Sequence, residues 1–373
     1  MAYKGVEEQL ISEKLSITKF QLFFVLIQTQ IGIGLLSLPN VVQKSAKGDG
    51  WISIILAGVV IQGLLVVYYL LLKRFPNDIL SKITQKILGR LFGKVVNFIM
   101  YFYFILTGSL STILMVKIIN LNLLPVTPAW VISLLIICGC IYLTISDLRI
   151  LARFFVLVSS LIILLLIITI LAFFIPKEIQ FILPIGSAGM KDILIGSNSA
   201  LFSMLGFEML LFVFPYVIRN TTGVLKTISL ANLFVTSFYT FITFLCLINF
   251  SPEQLQQLRE PVLYLFRGLS YKMIDRIDYI FLSIWIVPMT SSIIAYLFLA
   301  SKSISEEKKS YKKVVVINGI LIFLVSLIPH TDEITTISNK YVSYLSYAIV
   351  ITLPVFLLIL SFIFKRHERG ETT

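Results

Sequence analysis

The chain has 373 residues, of which 58% are hydrophobic and only 13% are charged, and its formal net charge is +12. Soluble domains average about 45–50% apolar and roughly 25% charged residues. The composition therefore excludes a water-soluble enzyme and predicts an all-α integral membrane protein. At roughly 35 residues for each helix and loop, the length accommodates about ten transmembrane helices. Three cysteines within apolar segments and two distant histidines predict no disulfide, no metal site and no cofactor.

Residues 1–17 are polar, mixed in charge and followed by no cleavage site, so we expect a cytoplasmic N-terminal segment rather than a signal peptide. A single transporter-like transmembrane domain is predicted for 18–365. Its two halves cover about 18–174 and 192–364. Residues 366–373 are predicted to form a cytoplasmic tail.

Ten apolar segments are long enough to cross the roughly 30 Å hydrocarbon core of a bilayer. Asn77–Gly93, between the second and third, has apolar residues at helical spacing and predicts an amphipathic helix on the membrane surface. The polar interruption Ser251–Lys272 is also predicted to be helical. The ten predicted segments are 18–43, 51–73, 95–121, 128–146, 150–174, 192–217, 225–250, 276–300, 314–329 and 341–364.

Basic residues predict the orientation. With the N-terminus in the cytoplasm, the cytoplasmic segments hold 21 of the 31 Lys and Arg residues and the outer segments hold 10. This bias obeys the positive-inside rule and places both termini in the cytoplasm. The net charge of +12 then reflects topology and attraction to lipid headgroups, so no nucleic-acid partner is predicted.

Two predicted helices carry helix breakers at their centres. Helix one contains Gly32 and Gly34 with Pro39 shortly after, and helix six contains Gly206 next to Phe207 and Glu208. These helices occupy matching positions in two five-helix halves, and because five is odd the halves have inverted topology. Broken helices at matched positions of inverted repeats indicate a substrate site at the midplane. The alternative is that the glycines only allow close helix packing.

The sequence resembles the permease-like B subunits of bacterial spore germination receptors, within the amino acid–polyamine–organocation transporter superfamily. The resemblance extends over essentially the whole chain. It implies a five-plus-five inverted repeat, a small germinant such as an amino acid, partner A and C subunits, and residence in the spore inner membrane. The motifs that carry it are Gly-Ile-Gly-Leu-Leu-Ser-Leu-Pro at 32–39, Gly-Phe-Glu at 206–208 followed by Pro215, and Arg-Ile-Asp at 276–278 leading to Trp285.

Glu208 is the only carboxylate deep inside an apolar segment. Burying an acid at a helix centre costs at least about 2.5–3.5 kcal/mol by insertion scales. Two interpretations stay open. In one, Glu208 pairs with a ligand ammonium group or couples protons; in the other, it is a protonated side chain that bonds a neighbouring helix.

The other candidate ligand-binding residues lie on helices one, three, six and eight. Gly32, Gly34 and Gly206 would let backbone amides approach a ligand. Tyr101 and Tyr103 lie near the midplane of helix three, where tyrosine usually packs within the bundle. Thr290 and Ser291 lie at the centre of helix eight, where hydroxyls most often bond the preceding turn. The superfamily lines its pocket with helix eight, and a sodium site there is a weaker alternative.

The resemblance implies a germinant-sensing, permease-like subunit that binds a small ligand between helices 1, 3, 6 and 8 and signals to its partners. One alternative is a proton- or sodium-coupled amino-acid secondary transporter, and another is an assembly platform with a vestigial pocket. No sequence feature separates sensing from transport, because both need broken helices. A sugar or nucleoside could use the same hydrogen bonds as an amino acid.

Overall fold

The computed structural model describes residues 16–32, 34–174, 177–218, 223–268, 276–305, 308–328 and 332–364, and these residues are almost entirely helical. Within them, one β-bridge between Ile17 and Val217 is the only strand-like pairing. The helices are α1 (Lys19–Gln30), α2 (Gly34–Ala46), α3 (Gly50–Arg74), α4 (Leu80–Leu88), α5 (Arg90–Asn122), α6 (Ala129–Thr144), α7 (Leu148–Leu171), α8 (Gly189–Ser203), α9 (Phe207–Tyr216), α10 (Val224–Asn249), α11 (Pro252–Gln257), α12 (Pro261–Arg267), α13 (Ile277–Ile304), α14 (Lys308–Ser326), α15 (Asp332–Ser346) and α16 (Leu353–Ile363).

The all-helical membrane architecture is confirmed. By length and composition, six helical stretches of the described chain can cross a membrane, or seven if the bent pair α8 and α9 forms one span. One of these stretches, Gly34–Arg74, joins α2 and α3, whereas helices such as α1 and α6 lie within predicted segments but are too short to be counted. The count of ten crossings stays a prediction. The predicted tail 366–373 and all of the predicted N-terminal segment 1–17 except residues 16 and 17 lie outside the described residues.

Both predicted helix breaks are present. The first separates α1, ending at Gln30, from α2, and the second separates α8, ending at Ser203, from α9 with a bend of 53°. Gly206 allows the second break because its φ of 123° lies in a region that glycine alone enters readily. Pro39 lies inside α2 rather than at the break. It removes one backbone hydrogen bond without ending the helix.

Small residues let the central helices approach closely. α13 packs along α5 and buries Ser292, Ala295 and Ala300. Gly58 of α3 faces α10, where a Cβ at this glycine would lie 2.4 Å from the Thr236 side chain. In a membrane, such small residues allow backbones to pack without a hydrophobic driving force between helices.

The predicted amphipathic segment contains α4, which packs against the bundle. Its buried face includes Leu80, Ile83 and Ile87, and the Thr84 hydroxyl donates to Asn97 Oδ1 of α5 at 2.7 Å. The predicted surface helix is therefore anchored to α5 by a buried hydrogen bond as well as by apolar contact.

Candidate ligand-binding site

A cavity of about 690 Å³ extends from the first helix break towards the ends of α2 and α5. Its walls come mainly from α2, α5, α8, α13 and α15. A volume in this range is typical of small-molecule sites, and the many polar groups in the lining suit a small polar ligand. The polar lining is dominated by hydroxyls and amides: Thr29, Gln30, Ser37, Asn40, Thr107, Ser111, Ser199, Ser203, Ser292, Tyr296, Thr335, Thr336, Asn339 and Ser343.

Ser292 of α13 supports the floor of the cavity beneath the first break. Its hydroxyl lies 3.4, 3.3 and 3.4 Å from the carbonyl oxygens of Gln28, Thr29 and Ile31. The last carbonyls of a helix have no partner within it, so they need an outside donor. Gly32 lies beside Ser292, and a Cβ at Gly32 would be 3.1 Å from Ser292 Oγ. A larger side chain there would project into the floor of the cavity.

The two helix breaks touch each other through backbone atoms. A Cβ at Gly206 would lie 2.1 Å from the Thr29 carbonyl oxygen, and one at Gly34 would lie 2.5 Å from the Ser203 carbonyl oxygen. The Thr29 hydroxyl donates to the Gly206 carbonyl at 3.0 Å. Both glycines are therefore needed for the close approach of one broken helix to the other.

Glu208 lies behind the cavity floor and not among the residues that line it. Its carboxyl accepts the Gly206 backbone N–H at 2.7 Å and the Tyr296 hydroxyl at 3.2 Å. Tyr296, which donates the second of these bonds, itself lines the cavity. The carboxyl thus stabilises the second break and fixes the orientation of Tyr296, and the hypothesis that it contacts a ligand directly stays untested.

Four charged side chains line the other end of the cavity. Lys44 lies near the end of α2, Lys117 near the end of α5, and Arg259 and Glu260 between α11 and α12. Lys44 and Arg259 are exposed, whereas Lys117 and Glu260 are half-buried. Burial raises the pKa of the Glu260 carboxyl, and the nearby charges of Arg259 and Lys117 oppose that effect. These four residues are called the rim below.

The short helices α11 and α12 adjoin the rim, and α11 is hydrogen-bonded to α2. The Asn40 amide donates to the carbonyl oxygens of Leu255 at 2.6 Å and Gln256 at 3.2 Å. Ser251 caps α11 by accepting the Gln254 N–H. Because Asn40 also lines the cavity, a ligand that displaces α2 would also stretch the two hydrogen bonds from Asn40 to α11.

Residues 16–335 match the Spore_permease family, which is described as a spore germination protein family. The chain belongs to this family. The chain is 27% identical to spore germination protein GerQB of Bacillus cereus over 353 residues, covering 92% of this chain and 95% of the relative. It is 26% identical to spore germination protein A2 of Bacillus subtilis (strain 168), covering 89% of this chain and 92% of that protein.

The germination protein also resembles the crystal structure of MhsT in complex with L-phenylalanine. The TM-score is 0.66 at 14% sequence identity, covering 93% of this chain and 89% of that chain. A likeness at this identity concerns the fold alone, and it supports the predicted inverted repeat. Family membership makes the chain a permease-like, non-enzymatic receptor subunit, as the sequence predicted.

Among the predicted site residues of the germination protein, Gly32 and Gly34 line the cavity, and Gly206 and Glu208 lie directly beneath it. Tyr103 is fully buried, and its side chain lies beside the Glu208 carboxyl rather than in the lining of the cavity. It lies one turn before Thr107, where the lining of α5 begins.

The remaining predicted residues point elsewhere. Tyr101 is half-buried and its hydroxyl donates to Asn318 Oδ1 of α14 at 3.0 Å. Thr290 and Ser291 donate to carbonyls one turn earlier in α13, at 2.8 and 3.1 Å. None of these three lines the cavity, whereas the adjacent Ser292 does. Among the residues that the structure describes, no group of three or more His, Cys, Asp or Glu side chains could hold a metal.

Two polar residues of the germination protein that sequence reasoning missed hold the broken helices in place. The buried Tyr239 hydroxyl of α10 donates to the Gln30 carbonyl at 2.9 Å and lies 3.5 Å from the Ser203 carbonyl. The Gln28 amide of α1 donates to Ser159 Oγ of α7 at 3.0 Å. A polar side chain at the centre of an apolar helix was the only sequence signal for either residue.

Proposed function

We propose that this germination protein is the ligand-sensing subunit of a germination receptor. In this proposal a small nutrient, such as an amino acid, binds in the cavity above the first helix break and favours one conformation of α1, α2, α8 and α9. The observation that carries the proposal is the cavity itself, which reaches unwound backbone beside Gly32 in a chain of the spore germination family. A ligand shifts such an equilibrium only by its differential affinity for the two states.

Close contact between the two breaks supports signalling from this position. Gly206 touches the backbone of Thr29, and Tyr239 bonds the end of α1. A ligand that moves α1 therefore also moves α9. α1 and α9, the half-helices that the predicted topology places on the cytoplasmic side, are joined again at their far ends. There the Ile17 N–H donates to the Tyr216 carbonyl at 2.8 Å. We expect them to move as one body.

The proposal includes ten crossings in two inverted halves, with both termini in the cytoplasm and the protein in the spore inner membrane. The charge bias of 21 to 10 supports this orientation. The cavity then opens away from the cytoplasm, where an external nutrient would enter. Membership among the B-subunit homologues supports assembly with A and C subunits into a receptor complex.

Binding and transport are best separated on the purified protein in liposomes. Each of the twenty amino acids is tested for thermal stabilisation of the protein and, in radiolabelled form, for uptake driven by a proton or sodium gradient. A sensor should bind at least one of them without accumulating it. Gradient-driven accumulation would instead support the secondary-transporter alternative.

A matched pair of glycine variants tests the location of the site. Gly32→Leu places a bulky side chain against Ser292 at the cavity floor, so we expect binding to be lost while insertion is retained. Gly63→Leu makes the same change on α3, where a Cβ meets no atom within 4 Å, and binding should be unchanged. Equal binding by the two variants would contradict the proposed location.

A further inference from the structure

The stretch Ile334–Ile363, which is long and apolar enough to cross a membrane, changes its helical register between α15 and α16. Residues Tyr347–Thr352 form a π-helix, and the Leu353 N–H reaches the Ala348 carbonyl five residues earlier. Pro354 follows at once and has no N–H to give to the carbonyl one turn before it. π-Helical turns and prolines are usual causes of sharp helix kinks. Residues 347–354, called the hinge segment below, are therefore the part of this stretch most able to bend.

A tyrosine from another helix replaces the hydrogen bond that Pro354 cannot make. The carbonyl one turn before Pro354 belongs to Val350, and it accepts the buried Tyr68 hydroxyl of α3. The Tyr68 ring also packs against Phe207 at the second helix break, with the two ring centroids 5.8 Å apart. One side chain therefore contacts both the hinge segment and the second break.

The hinge segment also contacts α8, the other half of the second broken helix. The Tyr347 hydroxyl donates to Asn198 Oδ1, and the Tyr347 ring packs edge-on against Phe202 with centroids 4.6 Å apart. Phe202 lines the cavity and lies one residue before the end of α8. Both halves of the second broken helix thus reach this region, α8 through Tyr347 and α9 through Tyr68.

The two helices on either side of the hinge segment have different surroundings. α16 lies outside the cavity and is bonded to α3, because the Arg74 guanidinium donates to the Ser361 carbonyl at 2.9 Å and lies over the Phe362 ring. α15 instead forms one wall of the cavity, with the lining residues Thr335, Thr336, Asn339, Val342 and Ser343. A bend at the hinge segment would therefore move a wall of the cavity while α16 stays in place.

We infer that Tyr68 is a positioning residue that couples the second helix break to this hinge, so that α15 moves relative to α16 when the cavity changes its occupant. This inference rests on the proposed function and extends it, because the signal then leaves the broken helices through α15. Tyr68 holds the Val350 carbonyl while α9 keeps the tyrosine ring in place. A buried carbonyl without a donor is unfavourable, so loss of the bond favours a bent conformation in which another donor reaches it.

Distances between pairs of spin labels measure the bend without any ligand. The purified full chain is labelled in lipid nanodiscs, in a background in which the three native cysteines are replaced by serine. One label is placed at the exposed Leu135 of α6, and the other is placed at the exposed Ile337 of α15 or Ile359 of α16. Position 337 lies about 20 Å along the helix from the hinge segment, so a bend of about 20° moves it by roughly 7 Å.

Tyr68→Phe removes the hydroxyl and keeps the ring that packs against Phe207. We expect it to change the distance between positions 135 and 337 by roughly 7 Å and to leave the distance between 135 and 359 unchanged. Pro354→Ala restores an N–H for the Val350 carbonyl, so Tyr68→Phe should have no effect in that background.

A matched control removes another tyrosine hydroxyl that donates to a backbone carbonyl. Tyr311→Phe breaks the bond to the Thr144 carbonyl at 3.1 Å and should change neither distance. The inference is overturned if Tyr68→Phe leaves the distance to position 337 unchanged, if both distances change together, or if Tyr311→Phe has the same effect. A full effect of Tyr68→Phe in the Pro354→Ala background would also refute it. If Pro354→Ala does not fold, the comparison of Tyr68→Phe with Tyr311→Phe decides.

The ligand-free distances decide whether the hinge exists even if no amino acid binds, so failure of this inference is distinct from failure of the proposed function. The coupling is tested with any of the twenty amino acids that stabilises the protein. Tyr68→Phe should keep that thermal stabilisation but lose the shift that the amino acid causes in the distance between positions 135 and 337. Equal shifts in wild type and Tyr68→Phe would refute the coupling.

Discussion

Replacing Gly206 with alanine tests whether the contact between the two helix breaks requires glycine. The backbone φ of 123° is unfavourable for any residue with a Cβ, and the added atom would lie 2.1 Å from the Thr29 carbonyl oxygen. The dihedral strain costs about 1–3 kcal/mol. Forcing atoms into a packed interior costs about 1–3 kcal/mol more. The substitution should therefore destabilise the protein by about 2–6 kcal/mol in total.

Three other glycines separate the two contributions. Gly34 is the first residue of the helix α2, and its Cβ would lie 2.5 Å from the Ser203 carbonyl oxygen, so alanine there adds the clash. Gly89 has a φ of 86° and open space around it, so alanine adds the strain alone. Gly63 has neither problem, and alanine within α3 should be neutral or stabilise by about 0.5–1 kcal/mol.

The four alanine variants are compared by thermal unfolding in one detergent, at equal protein concentration and heating rate. We expect Gly206→Ala to unfold at the lowest temperature, Gly34→Ala and Gly89→Ala at intermediate temperatures, and Gly63→Ala at or above wild type. If Gly206→Ala unfolded at the same temperature as Gly63→Ala, the backbone contact between the two breaks would not exist as described. If it unfolded at the same temperature as Gly89→Ala, the substitution would cause backbone strain but no clash with the Thr29 carbonyl.

Three further outcomes are expected. Glu208→Gln should keep ligand-induced thermal stabilisation, because the amide oxygen can still accept the Gly206 N–H. Glu208→Leu should lower the free energy of unfolding by about 1–3 kcal/mol for each donor left without an acceptor. Loss of ligand-induced stabilisation in Glu208→Gln would instead indicate that the carboxylate contacts the ligand. Asn40→Ala should free α11 from α2 and so raise the rate at which a water-soluble thiol reagent modifies a cysteine introduced at Ser199 in the cavity lining. An unchanged rate would show that α11 does not restrict entry to the cavity. A cysteine at position 308 should be labelled only from the cytoplasmic side of oriented vesicles, and labelling only from the other side would invert the topology.

The breaks could be located from sequence because their causes are local. Gly206 and Gly34 interrupt apolar segments, and a glycine weakens a helix wherever the helix packs. Matching the two positions also identified the inverted halves, which the fold likeness supports. What local patterns could not give was the number of residues that each break would unwind, since Pro39 continues α2 and does not end it.

The direction of each side chain could not be predicted, because it depends on how the helices rotate against one another. Glu208 lies at the second break, yet it is not among the residues that line the cavity, and its carboxyl accepts the Tyr296 hydroxyl. A shift of one residue along α13 distinguishes Ser291, which bonds its own helix, from Ser292, which bonds α1. Tyr239 donates to the Gln30 carbonyl, 209 residues away in sequence, and no periodicity of the sequence predicts that pairing.

Counting basic residues on each side of the membrane does not show where individual basic residues lie in the folded protein. The positive-inside rule uses the 21 basic residues that are predicted to be cytoplasmic and treats the 10 predicted outer ones as background. In three dimensions Lys44, Lys117 and Arg259 from that background come together at one end of a cavity whose other end holds unwound backbone. These side chains come from three separate parts of the chain, so no motif could reveal them. Their convergence on one cavity therefore follows from how the helices pack and not from any local pattern in the sequence.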